Sequence, residues 1–307
     1  MSQAQAFHPA HRHLWSGLSS DNPAAQVGIL GVPFDNATSY RKGAAFAPAR
    51  IREITPHVAA CTEEGHRLTG LRVRDYGDVT IDLNWERYFA AVEAQAARVL
   101  RHPFALFLGG DHSVTIPLVA AFSRTVSGQF GVIHVDAHPD LADEFEGHRW
   151  SHACTERRVL ELPNIEPRHL ALVGVRSFID DESAFLAGHP EIGLHTARDL
   201  YRRGIGPVAE DVAVQMADLD AVYLTLDIDG LDPAHAPGTG TPEAAGLSTR
   251  ELLELLRVVF DRLPIRAMDI VEVAPPLDCA DVTSSAAIKA IYEVFGWVKH
   301  KLERDRH

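Results

Sequence analysis

The chain has 307 residues, of which 46% are hydrophobic and 23% are charged, fractions that exclude a disordered or fibrous protein. Its 42 acidic side chains outnumber 29 basic ones and give a net charge of −13. Nucleic acids and anionic membranes select basic surfaces, so neither is expected as a partner. A small cationic molecule would suit the charge better.

The cysteines indicate a reducing compartment. Only three occur, Cys61, Cys154 and Cys279, and no two have the C-x-x-C spacing. Neither a disulfide framework nor a thiolate zinc site is therefore predicted. The first 25 residues contain no apolar run typical of a signal peptide, and no stretch of 18 apolar residues occurs anywhere. We expect a cytoplasmic protein.

In chain order, residues 1–25 are predicted to form an N-terminal arm and residues 26–307 a single catalytic domain. His8, His11 and His13 lie in the arm, and we predict a mobile segment there rather than a metal cluster. From residue 26 onward, short apolar runs alternate with amphipathic stretches, and no Pro/Gly/Ser-rich linker interrupts them. This pattern favours one domain.

The alternation predicts an α/β fold with a mostly parallel sheet of about eight strands between helix layers. Several strand candidates are almost entirely apolar, as expected for strands covered on both faces. The predicted strands are residues 26–33, 71–76, 104–108, 130–136, 169–175, 192–195, 222–227 and 266–272. The predicted helices are residues 85–100, 114–124, 154–160, 208–217, 248–263 and 284–302.

Three of the apolar runs end in acids and histidines. The run 104–108 leads into Gly-Gly-Asp-His-Ser, the run 131–135 into Asp-Ala-His-Pro-Asp, and the run 222–226 into Asp-Ile-Asp. Ligands of open parallel sheets bind outside the carboxyl ends of the strands. We therefore expect these side chains to meet at one edge of the sheet.

The side chains at this edge are typical of a site for two metal ions. Alternate residues of an extended segment point to the same side. Four carboxylates in such close proximity could not all stay ionised without cations. Two histidines and no thiolate favour Mn²⁺ before Zn²⁺, and two such ions would acidify a shared water. The candidate ligands are His112, Asp136, His138, Asp140, Asp227 and Asp229.

Each of these residues alone has a structural alternative. A single Asp-x-Asp is usually a loop or capping feature, and a single buried histidine is usually just hydrogen-bonded. The prediction of a metal site depends on all three segments closing apolar runs together. Asp35 and Asp111 are interpreted as orienting acids behind the ligands rather than as ligands.

The three segments above and several others together resemble the ureohydrolase family, which contains the arginases and agmatinases. The other segments are residues 31–35, 226–233, 236–242 and 268–275, and residues 150–158 match the agmatinase branch best. The resemblance runs from about Val27 to the last helix. It implies a three-layer α/β/α fold and a trimer or hexamer of identical chains.

The resemblance also assigns the ligands of two manganese ions per chain. Each ion has four protein ligands, of which two are shared. His112, Asp136, Asp140 and Asp227 would surround one ion, and Asp136, His138, Asp227 and Asp229 the other.

Catalytic roles follow from the same resemblance. His152 matches the family's proposed proton shuttle, and Glu272 matches the carboxylate that holds the substrate guanidinium. Asp140 would orient the attacking hydroxide. For Glu272 the alternative is a structural acid, but a buried carboxylate at a strand end needs a cationic partner.

We predict hydrolysis of agmatine to putrescine and urea, and the loop before His152 contributes to that prediction. Asp143, Glu144 and Glu146 would attract the ammonium of agmatine and repel a distal carboxylate, although they could equally face solvent. The alternatives are hydrolysis of guanidinobutyrate or arginine, and a binding protein without catalytic activity.

Overall fold

The structure, a computed structural model, describes residues 14–304. Within them, eight parallel strands form one sheet in the order β2-β1-β3-β8-β7-β4-β5-β6. Most strands are fully buried, because helices cover both faces of the sheet. The strands are β1 Val27–Gly31, β2 Val73–Asp78, β3 Phe104–Leu108, β4 Phe130–Val135, β5 Leu170–Val173, β6 Gly193–His195, β7 Ala221–Asp227 and β8 Ile265–Val271.

Two helix layers enclose the sheet and give two apolar cores. Helices α1, α6, α7, α8 and α9 contribute to one core, and α2, α3 and α4 to the other. Within the described residues, none of the helices is both long and apolar enough to cross a lipid bilayer. The helices are α1 Ala47–Ile54, α2 Trp85–Val99, α3 Thr115–Ser123, α4 Thr155–Val159, α5 Asp180–Gly188, α6 Ala197–Arg203, α7 Ile205–Gln215, α8 Thr249–Arg262 and α9 Val282–Arg304.

The predicted α/β class and all eight predicted strands are confirmed, but three helices were not predicted. Helix α1 is short and has proline in its first turn. Helix α5 begins with three acids and buries only one side chain, that of Glu182. Helix α6 has seven residues, and its capping box of Thr196 and Asp199 was a signal that we overlooked. Short helices with few buried side chains leave little apolar periodicity to detect.

The segment before β1 packs on the domain from residue 14 onward. Trp15 is fully buried, and its ring lies 6.1 Å from that of Phe295 in α9. The hydroxyl groups of Ser16 and Tyr292 are 2.6 Å apart. His8, His11 and His13 lie outside the described residues, so the prediction of a mobile arm stays a prediction.

Candidate metal centre and active site

The order of the strands brings the predicted site residues together. Strands β3, β8, β7 and β4 are neighbours at the centre of the sheet. Their carboxyl ends lead into His112, Glu272, Asp227 and the segment 136–140, respectively. Because the four strands are parallel, these residues lie at one edge of the sheet, where an open α/β fold places its ligand site.

Three carboxylates surround the ring of His112. Its Nδ1 atom lies 2.9 Å from an oxygen of Asp136 and 3.1 Å from oxygens of Asp140 and Asp227. All four side chains are at least 96% buried. They are the four that the sequence predicts around one ion.

A second group adjoins the first and shares Asp136 with it. Nδ1 of His138 lies 3.3 Å from Oδ1 of Asp136 and 3.3 Å from Oδ2 of Asp229. One oxygen or nitrogen from each of these three side chains lies within 4.8 Å of the others, a spacing that suits a single ion. The six predicted ligands thus converge in the structure, and their role as ligands stays a prediction.

A hydrogen-bond chain behind His112 orients its ring. Nε2 of His112 lies 2.8 Å from the hydroxyl of Thr225, which donates in turn to Asp269 at 2.6 Å. Since that hydroxyl gives its hydrogen to Asp269, it accepts the Nε2 hydrogen of His112. In the neutral ring the lone pair is then on Nδ1, which faces the carboxylates, as in many metal-binding histidines.

The buried carboxylates at the site need nearby positive charge to stay ionised. Burial and the charges of Asp229 and Asp136 raise the pKa of Asp227 well above its usual range. Burial lowers the pKa of His112, but the surrounding carboxylates outweigh burial and raise it well above its usual range. Nδ1 of His112 and Oδ2 of Asp140 are buried without a well-aligned hydrogen-bond partner. Divalent ions between these atoms would satisfy both and balance the carboxylates, so the residues fit a two-metal centre.

Glu272 lies at the same edge with its carboxylate buried. It is 3% exposed, and its Oε1 accepts the backbone N–H of His112 at 2.9 Å. Burial and the neighbouring charge of Asp111 raise the pKa of Glu272 well above its usual range. A cation beside this carboxylate would favour its ionised form, as the predicted contact with a guanidinium requires.

Asp35 and Asp111 accept hydrogen bonds from backbone N–H groups, and their role as orienting acids stays a prediction. Asp111 accepts the backbone N–H groups of Ala37 and Ser113, and burial raises its pKa to about 6. Asp35 accepts the N–H of Gly43 at 2.9 Å. Both carboxyl groups hold loops in place.

His152 lies beside a cavity of about 190 Å³ that opens above His138 and Asp140. Its Nδ1 is 2.5 Å from the carbonyl oxygen of Ala37, so Nδ1 carries the hydrogen. In the neutral ring, Nε2 therefore has the lone pair and is the atom that can accept a proton. Ser39 lies 3.3 Å from Nε2.

The acids of the loop before His152 do not line this cavity. The carboxylate of Asp143 pairs with Arg158 at 2.7 Å and with Arg149 at 3.3 Å, and the hydrogen bond from Arg158 lowers its pKa. Glu144 and Glu146 are exposed. Contact of these three acids with substrate stays a prediction, which the placement of their side chains does not favour.

Residues that the sequence did not single out form the cavity walls instead. Phe145, Phe178 and Ile179 supply apolar surface, and Glu182 supplies a carboxyl group. Burial raises the pKa of Glu182 to about 7, although the N–H groups of Ile179 and Leu141 donate to it. The further lining residues are Ser39, Ala153, Ser177 and Thr241.

The chain is similar to known proteins of one family. A sequence model described as the Arginase family matches residues 25–296. An agmatinase of Bacillus cereus is 36% identical over 280 residues, which cover 90% of this chain and 93% of that protein. A guanidinobutyrase of Pseudomonas aeruginosa is 34% identical, over 88% and 86% of the two chains. The crystal structure of formimidoylglutamase from Bacillus subtilis matches with a TM-score of 0.86 and 28% identity, over 97% and 96% of the chains.

Proposed function

The chain belongs to the arginase family as an agmatinase-type ureohydrolase, and we propose that its substrate is agmatine, which it hydrolyses to putrescine and urea. The observation that carries this choice is the charge of the cavity. Among the residues that the structure describes, no Lys or Arg lines the cavity, whereas the carboxyl group of Glu182 does. A distal ammonium would find a carboxyl partner there, whereas a distal carboxylate would find no Lys or Arg among these lining residues.

The proposal includes two manganese ions per chain, held by the six side chains around His112 and His138. Bound divalent ions would lower the pKa of a water molecule and so supply a nucleophile at neutral pH. Asp140, which has a carboxylate oxygen without a hydrogen-bond partner, would orient that nucleophile.

The remaining catalytic roles would belong to residues in the cavity and beside the metal ligands. Glu272 would hold the guanidinium with its buried carboxylate. Because its Nδ1–H is held by the Ala37 carbonyl, His152 would take up at Nε2 the proton that the attacking water loses and deliver it to the departing amine. Phe145 and Phe178 would cover the aliphatic part of the substrate.

The product of this reaction would place the enzyme in putrescine biosynthesis, and so in polyamine biosynthesis, which we propose takes place in the cytoplasm. We also propose that identical chains assemble into a trimer or hexamer. Light scattering on the purified protein would give the mass of the assembly and so distinguish the two from a monomer of 33.7 kDa.

The choice of substrate is tested by urea release from three guanidino compounds in the presence of Mn²⁺. Agmatine and 4-guanidinobutyrate are a matched pair, since one ends in an ammonium and the other in a carboxylate. We expect kcat/KM for agmatine to exceed those for 4-guanidinobutyrate and arginine by at least ~10²-fold, the scale of a mismatched charge in a partly buried site. Equal efficiencies, or a preference for 4-guanidinobutyrate, would contradict the proposal.

Two substitutions separate the carboxyl group in the cavity from those on the loop. Glu182→Gln is expected to raise KM for agmatine by roughly 10-fold, because it removes the charge that faces the ammonium. Glu144→Gln, an equivalent change on an exposed side chain, should change KM by less than about 2-fold. A larger effect in Glu144→Gln than in Glu182→Gln would favour the loop acids as the binding groups.

A further inference from the structure

A buried pair of ionisable side chains lies beneath the metal-ligand segment 136–140 and has no role in the function proposed above. His134 is in β4, two residues before Asp136, and Glu156 is the second residue of α4. Both side chains are 0% exposed. Nδ1 of His134 lies 3.1 Å from Oε1 of Glu156. Removing ionisable groups from water costs free energy even when they are paired with each other, so a role other than stability is expected for this pair.

The second nitrogen of His134 contacts the ligand segment directly. Its Nε2 lies 2.9 Å from the backbone carbonyl oxygen of His138. A carbonyl can only accept, so Nε2 carries a hydrogen and donates it. The ring of His134 also lies parallel to that of His112, with centroids 5.0 Å apart and an angle of 5° between the planes. Glu156 therefore fixes a ring that in turn fixes His138.

Glu156 holds the other end of the same segment through its backbone. Its N–H donates to the carbonyl oxygen of Asp140 at 2.9 Å, and the N–H of Arg157 donates to the same oxygen at 3.2 Å. Asp140 has φ of +53°, a left-handed conformation that residues other than glycine seldom adopt. These hydrogen bonds support that conformation and so the direction of the Asp140 carboxylate.

His134 is close enough to the site to be considered a ligand itself. His112, His134 and Asp136 form a group in which one oxygen or nitrogen of each lies within 4.8 Å of the others. Both ring nitrogens of His134, however, already face protein acceptors, Glu156 on one side and the His138 carbonyl on the other. Nε2, the nitrogen nearer the site, carries a hydrogen, and Nδ1 faces Glu156. The ring therefore turns no lone pair toward the site, and its part is to hold the ligand segment.

We propose that Glu156, acting through His134, is a positioning residue for the metal centre: it fixes the backbone that carries His138 and thereby sets the affinity for the ion at His138. The inference rests on the proposed two-metal site and not on the choice of substrate. Groups that orient metal ligands typically contribute 10- to 100-fold to metal affinity.

The test titrates metal-free protein with MnCl₂ by isothermal titration calorimetry, with the fold of each variant checked first by circular dichroism. Glu156→Ala is expected to weaken one of the two Mn²⁺-binding steps by roughly 10-fold or more. The Mn²⁺ affinities of Glu156→Gln should stay within about 3-fold of the wild-type values. Its amide can donate to Nδ1, so Nε2 keeps its hydrogen and still donates it to the His138 carbonyl. A purely space-filling role would not produce this rescue by glutamine.

The control is Glu293→Gln, which alters another buried glutamate, 2% exposed and paired with Lys289 in α9. It should leave both Mn²⁺ affinities unchanged. If Glu156→Ala does not fold, Glu156→Asp, whose shorter side chain cannot reach Nδ1, replaces it. The inference would be overturned if the folded Ala or Asp variant bound Mn²⁺ with wild-type affinity. It would also be overturned if the Gln variant lost as much Mn²⁺ affinity as the Ala or Asp variant. Absence of urea release from agmatine would refute the proposed substrate and leave this measurement intact.

Discussion

Asp229→Ala is expected to hold fewer divalent ions than the wild-type protein and to release urea at least ~10²-fold more slowly. The carboxylate of Asp229 is 1% exposed and lies 3.3 Å from Nδ1 of His138. It belongs to the ligand group around His138, which shares Asp136 with the group around His112. Without it, the ion at His138 would lose one of its proposed ligands. Wild-type protein purified without chelator should contain close to two ions per chain by elemental analysis, and the variant close to one.

Thermal unfolding gives a second measure of the same loss. A ligand that binds only the folded state stabilises it, by about 2.7 kcal/mol at 100 times the dissociation constant. Mn²⁺ should therefore raise the melting temperature of the wild-type protein more than that of Asp229→Ala. Asp218→Ala, a change at an exposed aspartate in the turn before β7, is the control and should behave as wild type. Full activity with a single bound ion would contradict a two-metal mechanism.

The ends of the strands explain why so much of this arrangement could be predicted from the sequence. Helices cover both faces of the sheet, so β3, β4 and β7 are mostly apolar, and acids and histidines follow where each strand ends. Parallel strands then place all these ends at one edge. The strands and their parallel direction could be predicted in this way, but not their order in the sheet. Short helices such as α5 bury too few side chains to leave a pattern.

The residues behind the metal centre could not be assigned in the same way. Thr225, Asp269 and His134 are fully buried polar residues within mostly apolar strands, which indicates that each has a partner but not which one. The register supplies that information, because Thr225 lies opposite Asp269 in β8 and opposite His134 in β4. The cavity walls pose a similar problem, since Phe145 and Phe178 come from loops whose proximity depends on the whole fold.

His152→Ala is expected to keep its metal ions but to lose turnover by ~10²-fold or more, the usual cost of removing a general acid. His152 lies on the loop side of the cavity, and its contacts are to Ala37 and Ser39 rather than to the carboxylates. Its removal should therefore lower kcat more than it changes the metal content. Elemental analysis and steady-state urea release on the same preparation would measure both.

Chemical rescue separates proton delivery from a structural role of the loop. Imidazole added to His152→Ala can occupy the vacated space and carry a proton, so it should restore part of the lost kcat. His148→Ala is the matched control, because His148 is on the same loop but packs against Trp85, with ring centroids 4.0 Å apart, and does not line the cavity. Suppose that His148→Ala lost as much turnover as His152→Ala and that imidazole rescued neither variant. The loss would then come from disorder of the loop and not from a missing proton donor at Nε2. Loss of metal from His152→Ala would instead make His152 part of the metal centre.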